Sequence, residues 1–171
     1  MTTTDGGGQI EPGVDSEAEH LEKLRLRRAE LVESINTLQQ ALVAPVPSGP
    51  IRWVQNVSAA LLELSADFRD HVELTEGPTG LYARINRNAP RLSHQVDRLI
   101  QDHKTLTELT SELLTLVGKA AGQFARGDSM RDDVDEVRER GTALISALVR
   151  HRQRASDLMY EGYSVDIGGQ D

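Results

Sequence analysis

The sequence contains no cysteine, which removes disulfide frameworks, thiolate nucleophiles and Cys-ligated zinc or iron–sulfur sites in one step. Any metal must then be held by histidine and carboxylate. Aromatic residues are almost as scarce, with one Trp, three Tyr and two Phe making 4% of 171 residues. A core has to be built from Leu, Val, Ile and Ala, which is the composition of a helical bundle and argues against an all-β fold. Positive charge is short as well. Nineteen Lys and Arg against 27 Asp and Glu give a formal charge of −8, the wrong sign for neutralising phosphates over a broad surface, so neither nucleic-acid nor membrane binding is expected. No apolar run approaches the ~18 residues of a membrane span, and the first twenty residues show no basic stretch followed by an apolar one. The expectation is a cytoplasmic protein with one domain, since single domains run about 100–200 residues.

What is present is apolar residues recurring at alternating steps of three and four, the mark of helices with one buried face. Four such seams can be traced. The first begins at Ser16, which forms a capping box with Glu19, and runs Leu21, Leu24, Arg28, Leu31, Ile35, Leu38, Leu42 until three prolines among residues 45–50 stop it. The second runs Val54, Val57, Leu61, Leu64, Phe68, His71, Thr75 and ends at Gly77-Pro78. A piece of one or two turns over 79–86 follows. The third opens at Pro90 and runs Leu92, Val96, Leu99, His103, Leu106, Thr110, Leu113, Val117. The fourth follows a Ser129/Asp132 capping box and runs Val134, Val137, Gly141, Leu144, Leu148, His151, Ala155, Leu158. These patterns predict an all-α chain: an antiparallel up-down four-helix bundle over 16–161, with helices at 16–43, 51–76, 90–121 and 130–161. A glycine-rich disordered arm over 1–15 precedes it. A short tail over 162–171 follows, in which Tyr163, Val165 and Ile167 form a candidate extended strap.

The seams also sort the five histidines. His20 and His94 fall off them and are expected on the surface, whereas His71, His103 and His151 each occupy a seam position on a different helix. Counting residues from each connection at about 1.5 Å per residue puts Arg28, His71, His103 and His151 in one layer. If the three rings converge on one ligand, they are expected within about 4–7 Å of one another. Buried imidazoles and a buried guanidinium need compensation, because an unpaired polar group in a core costs on the order of 1–3 kcal/mol. The candidates are a metal ion, nearby carboxylates, or an anion bound by Arg28. Glu76 and Asp157 are the carboxylates in reach, displaced by about 140° and 240° from His71 and His151 on an ideal helix. Glu76 is the better placed of the two, because Gly77-Pro78 can distort the final turn. The arginines at 25, 27, 28, 150, 152 and 154, taken as basic clusters, read as solvated faces with internal ion pairs.

The phrases FRDHVELTEGP, PRLSHQVDRLIQDHKTL and VRHRQRASDLMYEGY resemble the hemerythrin-like, or HHE cation-binding, domain, and the resemblance covers residues 20–160. It implies a four-helix bundle with a non-haem di-iron centre built from inward-facing His and carboxylates, and a function in binding or sensing oxygen, nitric oxide or peroxide. By that resemblance His71, His103 and His151 are metal ligands, with Glu76 and Asp157 as the accompanying carboxylates. The ligand set departs from the family at four places. Arg28 stands where the first helix supplies a histidine, and Thr75 stands where the carboxylate after His71 belongs. Leu99 and Thr107 flank His103 where a second histidine is usual, and Ser156 precedes Asp157 at the expected carboxylate position. A reduced, mononuclear site of three imidazoles with Glu76 or water follows, suited to iron, zinc or copper. Two further readings stay open: a metal-free bundle that contacts a protein partner, and a pocket in which Arg28 and the histidines bind a small anion.

Overall fold

The computed structural model describes residues 12–46, 50–127 and 131–164. The described chain is helical throughout, with α1 (Pro12–Val43), α2 (Pro50–Glu76), the short α3 (Leu81–Asn88), a 3₁₀ turn (Pro90–Leu92), α4 (Ser93–Ala125) and α5 (Arg131–Ser164). No strand occurs among the described residues. The four long helices form a bundle in which α1 packs on α2 and α5, and α4 packs on the same two. Among the described residues no helix is long and apolar enough to cross a membrane.

Every large apolar residue of the second, third and fourth seams is buried, as are Leu24, Leu31, Ile35, Leu38 and Leu42 of the first. Leu61, Leu64, Leu99, Leu106, Leu144 and Leu148 are each at most 2% exposed. Leu→Ala at any one of them is therefore expected to cost about 2–5 kcal/mol, the transfer term plus a residual cavity. Urea unfolding of the six variants checks this, and midpoints that stay at the parental value for several would show the seams to be misdrawn. At Gly141 the seam carries no side chain because α1 and α5 approach closely. A Cβ there would meet Leu42 Cδ1 at 2.5 Å.

Helix ends depart from the sequence expectation where capping was invoked. α1 begins at Pro12, so Ser16 lies inside the helix and is not its cap, and residues 12–15 of the expected arm are helical. Proline suits this start, since a first-turn residue has no intrahelical use for its N–H. Residues 162–164 of the expected tail extend α5. Residues 1–11 of the arm, Ser129 of the second capping box, and Val165 and Ile167 of the strap lie outside the described residues. At the other end of α1, Arg138 of α5 donates from Nε to the Leu42 carbonyl at 2.9 Å and from a terminal nitrogen to the Ala44 carbonyl at 2.9 Å. It thereby satisfies acceptors that a helix C-terminus leaves open. The same guanidinium lies 5.6 Å from the Trp53 ring centroid, and that indole is buried although it sits off the second seam.

The break at Gly77-Pro78 produces a separate helix rather than a prolongation of α2. Gly80 makes the fold-back possible: a Cβ there would sit 2.6 Å from the Thr75 carbonyl oxygen and 2.8 Å from that of Leu74. α3 thus lies against the end of the bundle and buries Leu81, Tyr82 and Ile85. It contributes to a smaller apolar cluster with Leu24, Leu92, Val96, Leu99 and Leu158, distinct from the main cluster that runs from Leu31 to Leu148. On α1, α4 and α5 the boundary between the two clusters falls at Arg28, His103 and His151 respectively, with His71 and Thr75 beyond Phe68 on α2. The polar layer divides the core.

Candidate metal centre

His71, His103 and His151 reach this layer from α2, α4 and α5 because each continues its helix's apolar stripe. They are 5%, 2% and 2% exposed. Their ring centroids lie 4.7 Å apart for His103–His151, 5.3 Å for His71–His103 and 5.6 Å for His71–His151. The expected separation of 4–7 Å is met. One potential ligand atom from each ring falls within 4.8 Å of the others. Phe68, one turn before His71, stacks on that ring at 6.0 Å and presents its edge to His103 at 5.6 Å and to His151 at 6.3 Å.

Proton placement follows from the carboxylates. Glu76 Oε1 lies 2.5 Å from His103 Nδ1, and because a carboxylate only accepts, the ring proton sits on Nδ1. Asp102 Oδ2 lies 3.4 Å from His151 Nδ1 and is held by Arg154, whose Nε and terminal nitrogen donate to it at 2.9 and 2.6 Å. Both histidines are thereby left with Nε2 as a free lone pair, and these two atoms face each other at 3.2 Å. His71 Nε2 stands 3.4 Å from His151 Nε2. Nitrogens bound ~2.0–2.1 Å from one tetrahedral ion lie roughly 3.3 Å apart, which these two separations match, and all three candidate atoms lie within 4.8 Å of one another. Outer-shell carboxylates that orient ligating imidazoles are the usual support of these sites. His71 has no such support among the described residues, where its buried Nδ1 finds no hydrogen-bond partner.

The electrostatics keep the rings neutral. Burial, followed by the neighbouring rings and Arg28, pushes His71 down to about 3. Burial and His103 push His151 down to about 4 against the opposing pull of Asp102. His103 is lowered by burial, while Glu76 acts in the other direction. Only the neutral imidazole ligates.

The remaining residues singled out by the sequence are placed less uniformly. Glu76 lies behind the His103 ring rather than at its Nε2 face. Asp157 lies apart from the cluster: it is exposed and accepts from Gln153 Nε2 at 2.9 Å, because six residues beyond His151 is the outer side of α5. Arg28 is half-buried and points toward α5, donating to Ser156 Oγ at 2.6 Å with Met159 Sδ 2.8 Å from its other terminal nitrogen. Burial and the nearby Arg152 lower its basicity. His94 is exposed as expected, whereas His20 is half-buried. Arg25 and Arg27 pair with Glu22, Glu30 and Asp70 on the solvated face of α1, but Arg154 does not share that fate, since it anchors Asp102.

Two residues of the centre escaped the seam argument. Asp102 stands directly before His103, about 100° off the seam, and turns toward α5. Tyr82 belongs to α3, where its ring stacks on His103 at 5.7 Å and 23° and its Oη lies 3.5 Å from His103 Nε2. Burial raises its phenol above the ordinary range. The Asp–His adjacency at 102–103 was the available signal for the first, and the apolar Leu81-Tyr82 pair after a glycine for the second.

Asp102→Asn is expected to weaken metal affinity by about 10–100-fold, the effect typical of outer-shell partners. Competition with a chromophoric chelator measures it, and parental affinity would show that Asp102 does not orient His151. No family model, curated protein or solved structure matches the chain.

Proposed function

We propose that the protein is a hemerythrin-like metal-binding bundle with a reduced, mononuclear centre in which His71, His103 and His151 hold one transition-metal ion through Nε2. The observation that carries this reading is the pair of facing lone pairs on His103 and His151, 3.2 Å apart. Two acceptors in contact repel, and a Lewis acid between them removes the repulsion. An ion so held supplies a Lewis-acidic and, with iron, redox-active centre with positions left for a small molecule such as oxygen, nitric oxide or peroxide. The residues around it hold the rings neutral, fix the tautomers of His103 and His151 through Glu76 and Asp102, and exclude water with Phe68 and the flanking leucines. Arg28, at the layer on α1, offers a cation where a further ligand would be needed for a second ion, which favours one metal over two.

The arrangement of an antiparallel up-down bundle fits the cross-helix pairs. Arg27 meets Asp70 while Ser34 meets Asp67, and Arg140 meets Glu112 while Arg154 meets Asp102. In each case the two helices advance in opposite senses.

A metal-free bundle acting on a protein partner is the second reading. It is favoured by an alternative protonation in which His71 Nε2–H donates to His151 Nε2 and the Tyr82 hydroxyl donates to His103 Nε2, which leaves only His71 Nδ1 unpaired. An open groove of about 530 Å³ between α4 and α5, floored by Leu109, Leu113, Leu116 and Ala143, offers such a partner a surface.

Titration of chelator-treated, untagged protein with cobalt(II) separates the two. The metal reading expects saturation at one ion per chain with the intense visible spectrum of a four-coordinate site. Absence of binding would overturn it. Anaerobic addition of nitric oxide to the ferrous-loaded protein is expected to produce a new visible band. An unchanged spectrum would remove the gas-sensing part of the proposal.

A further inference from the structure

The three histidines leave one polar group of the centre outside the proposed donor set, the phenol of Tyr82, which also meets the Thr75 hydroxyl. This side chain is 3% exposed, and its oxygen lies beside His103 Nε2, the atom that faces His151. The O···N separation of 3.5 Å is close to the roughly 3.3 Å spacing of donors around one tetrahedral ion. Position and packing are fixed by the fold. The carbonyls crowding Gly80 force α3 back onto the bundle end, and the stacking on His103 sets the direction of the Cζ–Oη bond.

We propose that Tyr82 is the fourth protein ligand, giving a His₃–phenolate donor set that takes ferric iron in preference to zinc. The inference rests on the reading of the three histidines as a metal site. Neutral imidazoles bind zinc, copper and iron alike, whereas a hard anionic oxygen favours the harder, more highly charged ion, and tyrosinate serves as an iron ligand elsewhere in protein chemistry. When iron is supplied as ferric ion the step needs no oxidant: the phenolic O–H bond breaks, the Fe–O bond forms, and the proton leaves to solvent. Three neutral rings and one phenolate leave two positive charges on a ferric site. Glu76, bonded to the His103 ring, supplies one balancing negative charge, whereas the charge of Asp102 is already paired with Arg154.

The test uses chelator-treated, untagged full-length chain titrated with ferric nitrilotriacetate and, separately, with zinc chloride. Ferric loading is expected to give a visible phenolate-to-iron absorption band saturating at one iron per chain, with phenolate ring modes in the resonance Raman spectrum. Those modes read the ligand on the unaltered sequence, independently of any variant. Tyr82→Phe, checked for folding by its metal-free melting curve, should lose the band and lose more ferric affinity than the ~10–100-fold of an outer-shell change, while zinc affinity moves by less than about tenfold. If metals bind at one per chain without phenolate modes, or with equal ferric affinity in Tyr82→Phe, the inference falls and the histidine site stands. If neither metal binds the parent chain, both fall.

Discussion

His151→Ala is expected to abolish metal binding rather than weaken it by a third. His151 is the middle member of the cluster, with its Nε2 3.2 Å from that of His103 and 3.4 Å from that of His71. Its loss leaves only the two imidazoles of His71 and His103, 5.3 Å apart between ring centroids. His71→Ala and His103→Ala are expected to behave alike, since two nitrogen ligands rarely hold a divalent ion against water. Asp157→Ala supplies the contrast: its carboxylate is exposed and bonded to Gln153, so parental affinity is expected. Calorimetric titration of the four variants with zinc checks the pattern. Graded losses across the three histidines, or a loss at Asp157, would show that the ligands are misassigned. If the rings are only core residues, the alternative outcome is stability losses that add as they do for independent sites.

Metal-free protein is expected to lose stability as the pH falls from about 7 to about 4. His71 and His151 fold with values near 3 and 4 in place of 6.5. Between those limits the unfolded chain binds protons that the folded chain refuses, and stability therefore rises with pH. The contribution is fully present above about 6.5 and is lost as pH drops toward the folded values. Each of these two rings is 5% exposed or less, so the stability at stake is on the order of a few kcal/mol apiece. His103 adds in the same direction, reduced by its carboxylate partner. Urea unfolding at intervals between pH 7 and pH 5, above the range where most carboxylates titrate, measures the slope. His71→Phe is expected to lower that slope by about one proton, or ~1.4 kcal/mol per pH unit at most. An unchanged slope would mean that His71 already carries its proton in the folded state.

The layer of three histidines was legible in the sequence because the seam registers whatever occupies the inward stripe of a helix, polar or apolar. His71 lies between Phe68 and Thr75, His103 between Leu99 and Leu106, and His151 between Leu148 and Ala155, so phase alone assigns them to the interior. The outer shell was not legible by the same means. Asp102 and Arg154 meet at the flank where α4 and α5 come together, about 100° from His103 and about 60° from His151 respectively, and a one-dimensional pattern does not tell a residue at a helix–helix border from one on the open face. Asp157 shows the opposite error, for proximity to His151 in sequence placed it in a site from which the helix turns it away. Tyr82 was hidden for a third reason. After Gly77-Pro78 the helical phase is reset, and only the crowding at Gly80 reveals that α3 folds back. Chain ends were misread where a local capping signal at Ser16 competed with a proline start four residues earlier.

Metal content of the untagged protein, measured by elemental analysis directly after purification without added metal or chelator, tests the central claim most directly. The account predicts one transition-metal ion per chain, retained through gel filtration and lost from His151→Ala. Full folding with no metal in the parent chain, even after loading with ferric iron, zinc and cobalt, would contradict it, and two ions per chain would contradict the exclusion of a second ion by Arg28.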